Sequence, residues 1–340
     1  MPFSLYQALG VPGSSGWSTK TTKFDAAHKF VTSPFQPLYS NPFYLAGTRL
    51  LVATYIWVVI LFTLIWDSVR LGTGDSYFSY FTYLTYIGLC AYYTASSYHT
   101  ISYALRWRRR GAGAGYSLNS WNGGLGRLGQ ALYVVLYSSV VTFPVLVTIV
   151  FWSILASPDV FKTRFSSFSN ISVHALNSLF ALIEIFLTNS PPPPWAAMPL
   201  LVLILGAYLG VAYITKAAQG FYVYPFLNPS VQHGKLAAYI VGIAVAECII
   251  FVIVRYVIVF RRRWAMNHNR VLRSDDSIIR GSAGINGQDE ERGDRTIEGL
   301  EGEDDWEQVE SPNMTSSPTK STKTDRTVRE EAPVKVEGAL

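Results

Sequence analysis

Between Arg49 and Phe260 this chain returns again and again to long stretches that carry almost no formal charge. That property restricts the fold, because an apolar run of about 20 residues is what a helix needs to cross a hydrocarbon core. Six such stretches can be drawn, at roughly 49–66, 78–104, 131–156, 172–189, 199–219 and 236–260. The second is dense in Tyr, Thr and Ser, yet it has no charged residue from Tyr77 to Leu105. Only 15% of the 340 residues are charged, and they crowd into the ends and loops. The expected fold is therefore all-α: a polytopic membrane protein with a six-helix transmembrane bundle.

The flanks support the same division. Residues 1–47 form a polar, aromatic, Pro/Gly-rich segment without the pattern of a cleavable signal peptide, so the first apolar helix is expected to target the chain. Residues 48–263 make the membrane domain, and 264–340 are expected to be a disordered tail poor in aliphatic runs. Lys20, Lys23, Lys29 and Arg49 precede the first span. Arg106, Arg108, Arg109, Arg110 and Arg127 flank the loop after the second, and Arg261, Arg262 and Arg263 follow the sixth. The positive-inside rule then puts both termini in the cytosol, with the membrane itself, endoplasmic reticulum or plasma membrane, left open. Pro191 to Pro194 forms a stiff break between the fourth and fifth spans. Cys90 and Cys248 lie in apolar runs and suggest neither a disulfide framework nor a metal site.

Two spans carry polar stripes. In the fourth, Asn170, His174, Asn177, Glu184 and Thr188 fall within about 80° of one another on a helix. In the second, Thr85, Tyr92, Ser96, His99 and Tyr103 share a face. Ionisable groups inside a membrane segment are costly to bury, so they turn inward and mark functional positions. Both helices enter from the same side, which lets Thr85 and His174 meet at similar depth. A hydroxyl beside a neutral imidazole is the minimal arrangement for nucleophilic acyl transfer, the histidine taking the threonine proton. Asn170 and Asn177 are local candidates to orient the imidazole, and with Tyr92 to donate to an oxyanion. The spacing alone fits a structural histidine and a threonine bonded to its own helix better than a catalytic pair.

Four short motifs resemble one known family. Tyr83-Leu84-Thr85-Tyr86 is similar to its Y-L-T-F signature, and Asn170-x3-His174 with Leu182-Ile183-Glu184 to its N-H-x-x-H segment. Thr142-Phe143-Pro144 with Phe151-Trp152, and Tyr222-Val223-Tyr224-Pro225-Phe226-Leu227, follow in matching order over about residues 48–260. The chain thus resembles the androgen-induced protein family, which includes the androgen-dependent TFPI-regulating protein. That resemblance implies a multi-pass hydrolase of fatty acid esters of hydroxy fatty acids, with Thr85 as nucleophile, His174 as base and no cofactor or metal. The sequence departs from the family where Ile171 replaces a first histidine and where Lys216-Ala217-Ala218 precedes the Tyr-Pro motif. The chemistry therefore transfers more directly than the exact substrate.

The expected partner is a lipid ester drawn from the bilayer, not nucleic acid. A protein partner for the tail is a second expectation, since Trp306 to Val309 is an aromatic-x-x-aliphatic unit in acidic flanks, fit to add a strand to a sheet edge. The rival classes are a transporter or lipid-binding protein that uses the stripes as a polar pathway, and a non-catalytic scaffold.

Overall fold

A computed structural model describes residues 4–12, 24–35, 40–111, 114–118 and 126–282, with side chains described as far as 267. Six long helices dominate: α1 Pro42–Trp66, α2 Phe81–Arg110, α3 Gly126–Val150, α4 Arg164–Leu187, α5 Ala197–Gln219 and α6 Lys235–Ser282. No strand occurs among the described residues. Five stretches are long and apolar enough to cross a membrane: Pro42–Leu71, Gly126–Leu155, Arg164–Leu187, Ala197–Gln219 and Lys235–Asn267. The protein is a polytopic all-α bundle. At 30 residues α2 has the length for a sixth crossing, but its hydroxyls and phenols keep its hydropathy below that of the other five.

Local chemistry sets the helix ends. Asn41 accepts from the Phe43 amide and Pro42 opens α1, where its missing N–H costs nothing. Thr163 and Ser166 form a capping box at the start of α4. Gly220 ends α5 at a φ of 83°, a left-handed position that side chains with a Cβ avoid. The last helix continues past 263 to Ser282, beyond the expected end of the membrane domain. The tail from 283, with the Trp306 to Val309 unit, lies outside the described residues.

The core is aromatic where α2 meets α3, with Tyr92, Tyr93, Tyr133 and Tyr137 all buried. Large apolar side chains such as Leu51, Leu203, Ile214 and Phe260 face outward, as a lipid-facing surface requires. The N-terminal segment also belongs to the core. Phe30 packs edge-on against Tyr133 and Tyr137 at 5.4 and 5.5 Å. Just before it, Asp25 accepts from the Lys29 and Phe30 amides and from the Tyr116 hydroxyl at 2.8 Å. Burial outweighs these bonds and pushes the Asp25 carboxyl up to about 6.

Candidate functional site

His174 sits in a π-helical turn, Ser172–Leu176, that interrupts α4. A second π turn, Phe151–Leu155, extends α3 directly opposite. Single π turns inside α-helices free carbonyls from the regular ladder and recur at functional sites. In hydrocarbon a freed carbonyl must find another donor. Here the His174 carbonyl accepts from the Thr148 hydroxyl at 2.8 Å and the Trp152 indole at 3.2 Å, both donated from the α3 side. Thr148 also bonds Asn177 and Ser178, while Asn177 and Ser178 donate to the Pro144 carbonyl. Pro144 and Trp152, one from each of the Thr-Phe-Pro and Phe-Trp motifs, thus join Thr148 in the clamp that holds this turn of α4 in place.

The imidazole itself makes no such bonds at Nδ1, which is buried without a hydrogen-bond partner among the described residues. Its orientation comes from Phe151, whose ring lies parallel to it at 3.7 Å and 5°. One imidazole nitrogen is thus left without a protein partner in a site where an unsatisfied polar atom is costly.

His174 lines a cavity of about 280 Å³ whose walls are largely aliphatic and aromatic. Its other polar side chains are Thr82, Tyr208 and Tyr224. Tyr208 donates to the Ser79 carbonyl at 3.0 Å, and the Tyr224 hydroxyl interacts with Thr82 and Tyr208. The Tyr-Pro motif after α5 thus supplies a wall of the same cavity through Tyr224, Phe226 and Leu227.

The threonine singled out by sequence is not in this space. Thr85, half-buried, donates to the Thr82 carbonyl at 3.0 Å and lines a neighbouring cavity of about 320 Å³ with Gly88, Ser139 and Ile204. Phe81 and Tyr208 form a shared wall between the two. Thr82, one helical turn before Thr85, is the threonine that shares a cavity with His174. Period counting from the motif missed it; the positions 82, 174, 208 and 224 are distant in sequence and converge only in the fold.

The proposed supporting residues separate as well. Asn170 donates to the Val160 and Ser166 carbonyls, and so ties the start of α4 to its preceding loop. Asn177 is next to the site but committed to the α3 clamp. Tyr92 donates to Glu184 at 2.7 Å in a second polar centre. There Glu184 is ion-paired with Arg49 and also accepts from Ser190 at 3.3 Å. Arg49 donates in addition to Thr100 and to the Phe30 carbonyl, while Arg261 bonds the Ile185 and Ser190 carbonyls. This centre joins α1, α2, α4, α6 and the N-terminal segment, and it reads as a structural lock. His99 bonds Ser117 at 2.6 Å on the loop side of α2. Among the described residues no three His, Cys, Asp or Glu side chains converge as a metal ligand set requires.

Residues 48–258 match the family described as FAR-17a/AIG1-like protein. No curated protein and no solved structure matches the chain.

Proposed function

The chain belongs to the FAR-17a/AIG1-like family of membrane proteins, and from that premise we propose that it hydrolyses lipid esters within the bilayer, with His174 as the base. The observation that carries the reading is an imidazole with an unpartnered Nδ1, fixed by Phe151 and two π turns, in an apolar cavity that also holds hydroxyls. Burying such a nitrogen without a partner is unfavourable, and a proton-transfer role accounts for it.

Two threonines compete for the nucleophile, each on its own ground. The family motif assigns Thr85, whose hydroxyl must leave the Thr82 carbonyl and cross the Phe81–Tyr208 wall to reach His174. The cavity favours Thr82, which needs no such movement. In either case the histidine accepts the threonine proton as the Oγ1–carbonyl carbon bond forms. The alcohol then leaves with that proton as the ester C–O bond breaks. Water next gives a proton to His174 and its oxygen attacks the acyl carbonyl, which releases the fatty acid and restores the threonine hydroxyl. Tyr224, beside Thr82, is the proposed oxyanion donor in place of Asn170, Asn177 and Tyr92. Fatty acid esters of hydroxy fatty acids are the proposed substrate class.

Purified protein assayed on such an ester tests the reading. Turnover is expected to vanish in His174→Ala and in one of Thr82→Val and Thr85→Val, with each variant still eluting as a folded species. Activity retained in His174→Ala overturns the mechanism, and activity retained in both threonine variants overturns the covalent route.

A further inference from the structure

The His174 cavity, at about 280 Å³, lies at the lower edge of ligand sites and cannot enclose a whole long-chain ester. A second space adjoins it. An apolar groove of about 620 Å³ runs between α5 and α6, and Val202, Ile240 and Ala244 belong to the walls of both. The groove continues along Met198, Val245 and Cys248 and carries no charged or hydroxyl side chain. The other neighbouring space, with Thr85, Ser139 and Tyr208, has hydroxyls on its walls and suits polar groups better.

The helices that form the groove are the two least enclosed of the five apolar spans. Only 17% and 22% of the apolar windows of α5 and α6 are buried, against 61% for α3. Side chains around the groove, Val241, Val245, Ile249 and Ile253, are exposed on this face and would meet lipid. Small residues keep the passage open, since Gly206 and Ala244 line the inner cavity where a larger side chain would fill it.

We propose that the α5–α6 groove is the binding site for the acyl chain of the substrate, entered sideways from the bilayer, with Ala244 at the junction where the chain passes into the His174 cavity. This inference rests on the ester-hydrolase reading of His174. It adds that reach along the groove sets the chain-length preference. An alkyl chain gains free energy by burial only where it leaves water, so a chain drawn from lipid gains little from burial itself. Selectivity must instead come from fit and continuity of the channel, and a side chain at the junction should control it.

The test uses the full chain in phosphatidylcholine nanodiscs. A hexadecanoyl ester with a diazirine at the chain end is photolysed on His174→Ala protein, which would not consume it. Adducts are expected on peptides bearing Met198, Val245 or Cys248, and excess unlabelled ester should displace them. Labelling of those peptides that the unlabelled ester fails to displace would mean an ordinary lipid-facing surface and overturn the proposal, as would displaceable labelling confined to other helices. In parallel, Ala244→Phe in the otherwise native chain should lower the ratio of kcat/KM for hexadecanoyl over butanoyl esters about tenfold, roughly 1.4 kcal/mol of discrimination. An unchanged ratio in a folded variant also overturns it. If the native protein cleaves neither ester, the hydrolase reading falls while the displaceable labelling still decides the groove.

Discussion

Glu184→Gln offers the sharpest test of what holds the bundle together. The Glu184 side chain is fully buried and that of Arg49 is 1% exposed. The carboxylate accepts from Arg49 through both Nε and a terminal nitrogen, from Tyr92 and from Ser190. Glutamine keeps the volume but removes the charge, so Arg49 stays ionised against neutral acceptors only: the new amide oxygen, the Phe30 carbonyl and the Thr100 hydroxyl. Breaking a buried pair from one side costs about 3–5 kcal/mol, chiefly because an uncompensated charge remains. At about 2–4 °C per kcal/mol for a domain of this size, the melting midpoint should fall by about 10 °C. Size-exclusion of heated, detergent-solubilised protein reads that midpoint directly. The double variant Arg49→Met with Glu184→Leu should recover most of the loss, since it removes both charges together. A single variant within about 2 °C of the parent, or a double variant that melts no higher than the single, refutes the assignment of this pair as a lock.

Two further outcomes follow from the geometry. Phe151→Leu removes the parallel ring beside His174, an interaction worth about 0.5–1.5 kcal/mol, so kcat should fall by up to about tenfold with KM little changed, while Phe151→Trp retains most activity. A larger change in KM than in kcat would show that Phe151 serves substrate binding instead. For Asp25, the folded carboxyl sits near 6 against an ordinary 3.8, so the folded state holds the extra proton between those values. The docking of residues 24–35 is then most stable below about pH 4, weakens as pH rises to about 6, and is constant above. The ceiling is about 3 kcal/mol, reduced because Asp25 is partly exposed and Lys29 and Tyr116 face it. Hydrogen exchange of this segment should show that trend in the native chain and a flat profile in Asp25→Asn; protection that increases with pH contradicts it.

The architecture was legible in the sequence because helix length, charge exclusion and Pro breaks are local properties. The five apolar helices lie close to the drawn spans, and Pro191 to Pro194 does separate α4 from α5. The stripe on α4 was also a sound guide to inward-facing positions, since His174, Asn177, Glu184 and Thr188 are all buried. What it could not convey is that one stripe serves two centres. A regular period of 3.6 residues places Glu184 and His174 on one face, but a π turn at 172–176 holds an additional residue per turn and underwinds the helix between Asn170 and Asn177. Asn170 consequently serves a loop, and the lower half of the stripe holds His174 while the upper half holds an ion pair.

Which threonine shares the His174 cavity was the least legible feature of the site. Thr82 and Thr85 are three residues apart, so both lie near one face of α2, and only the packing of Phe81 and Tyr208 assigns them to different cavities. Tyr208 comes from α5 and Tyr224 from the turn beyond it, and no spacing rule in the sequence connects either to α2. Across the same cavity, the π turns of α3 and α4 set Phe151 flat against His174. The motif quoted as Phe-Trp and the one quoted as Tyr-Pro thus have separate jobs that sequence order hides. The first freezes the imidazole by stacking and by a bond to its backbone, and the second closes the space in which a hydroxyl can approach it. An imidazole that is held by neighbours which leave its own Nδ1 unbonded among the described residues keeps that nitrogen open to a polar group entering the cavity.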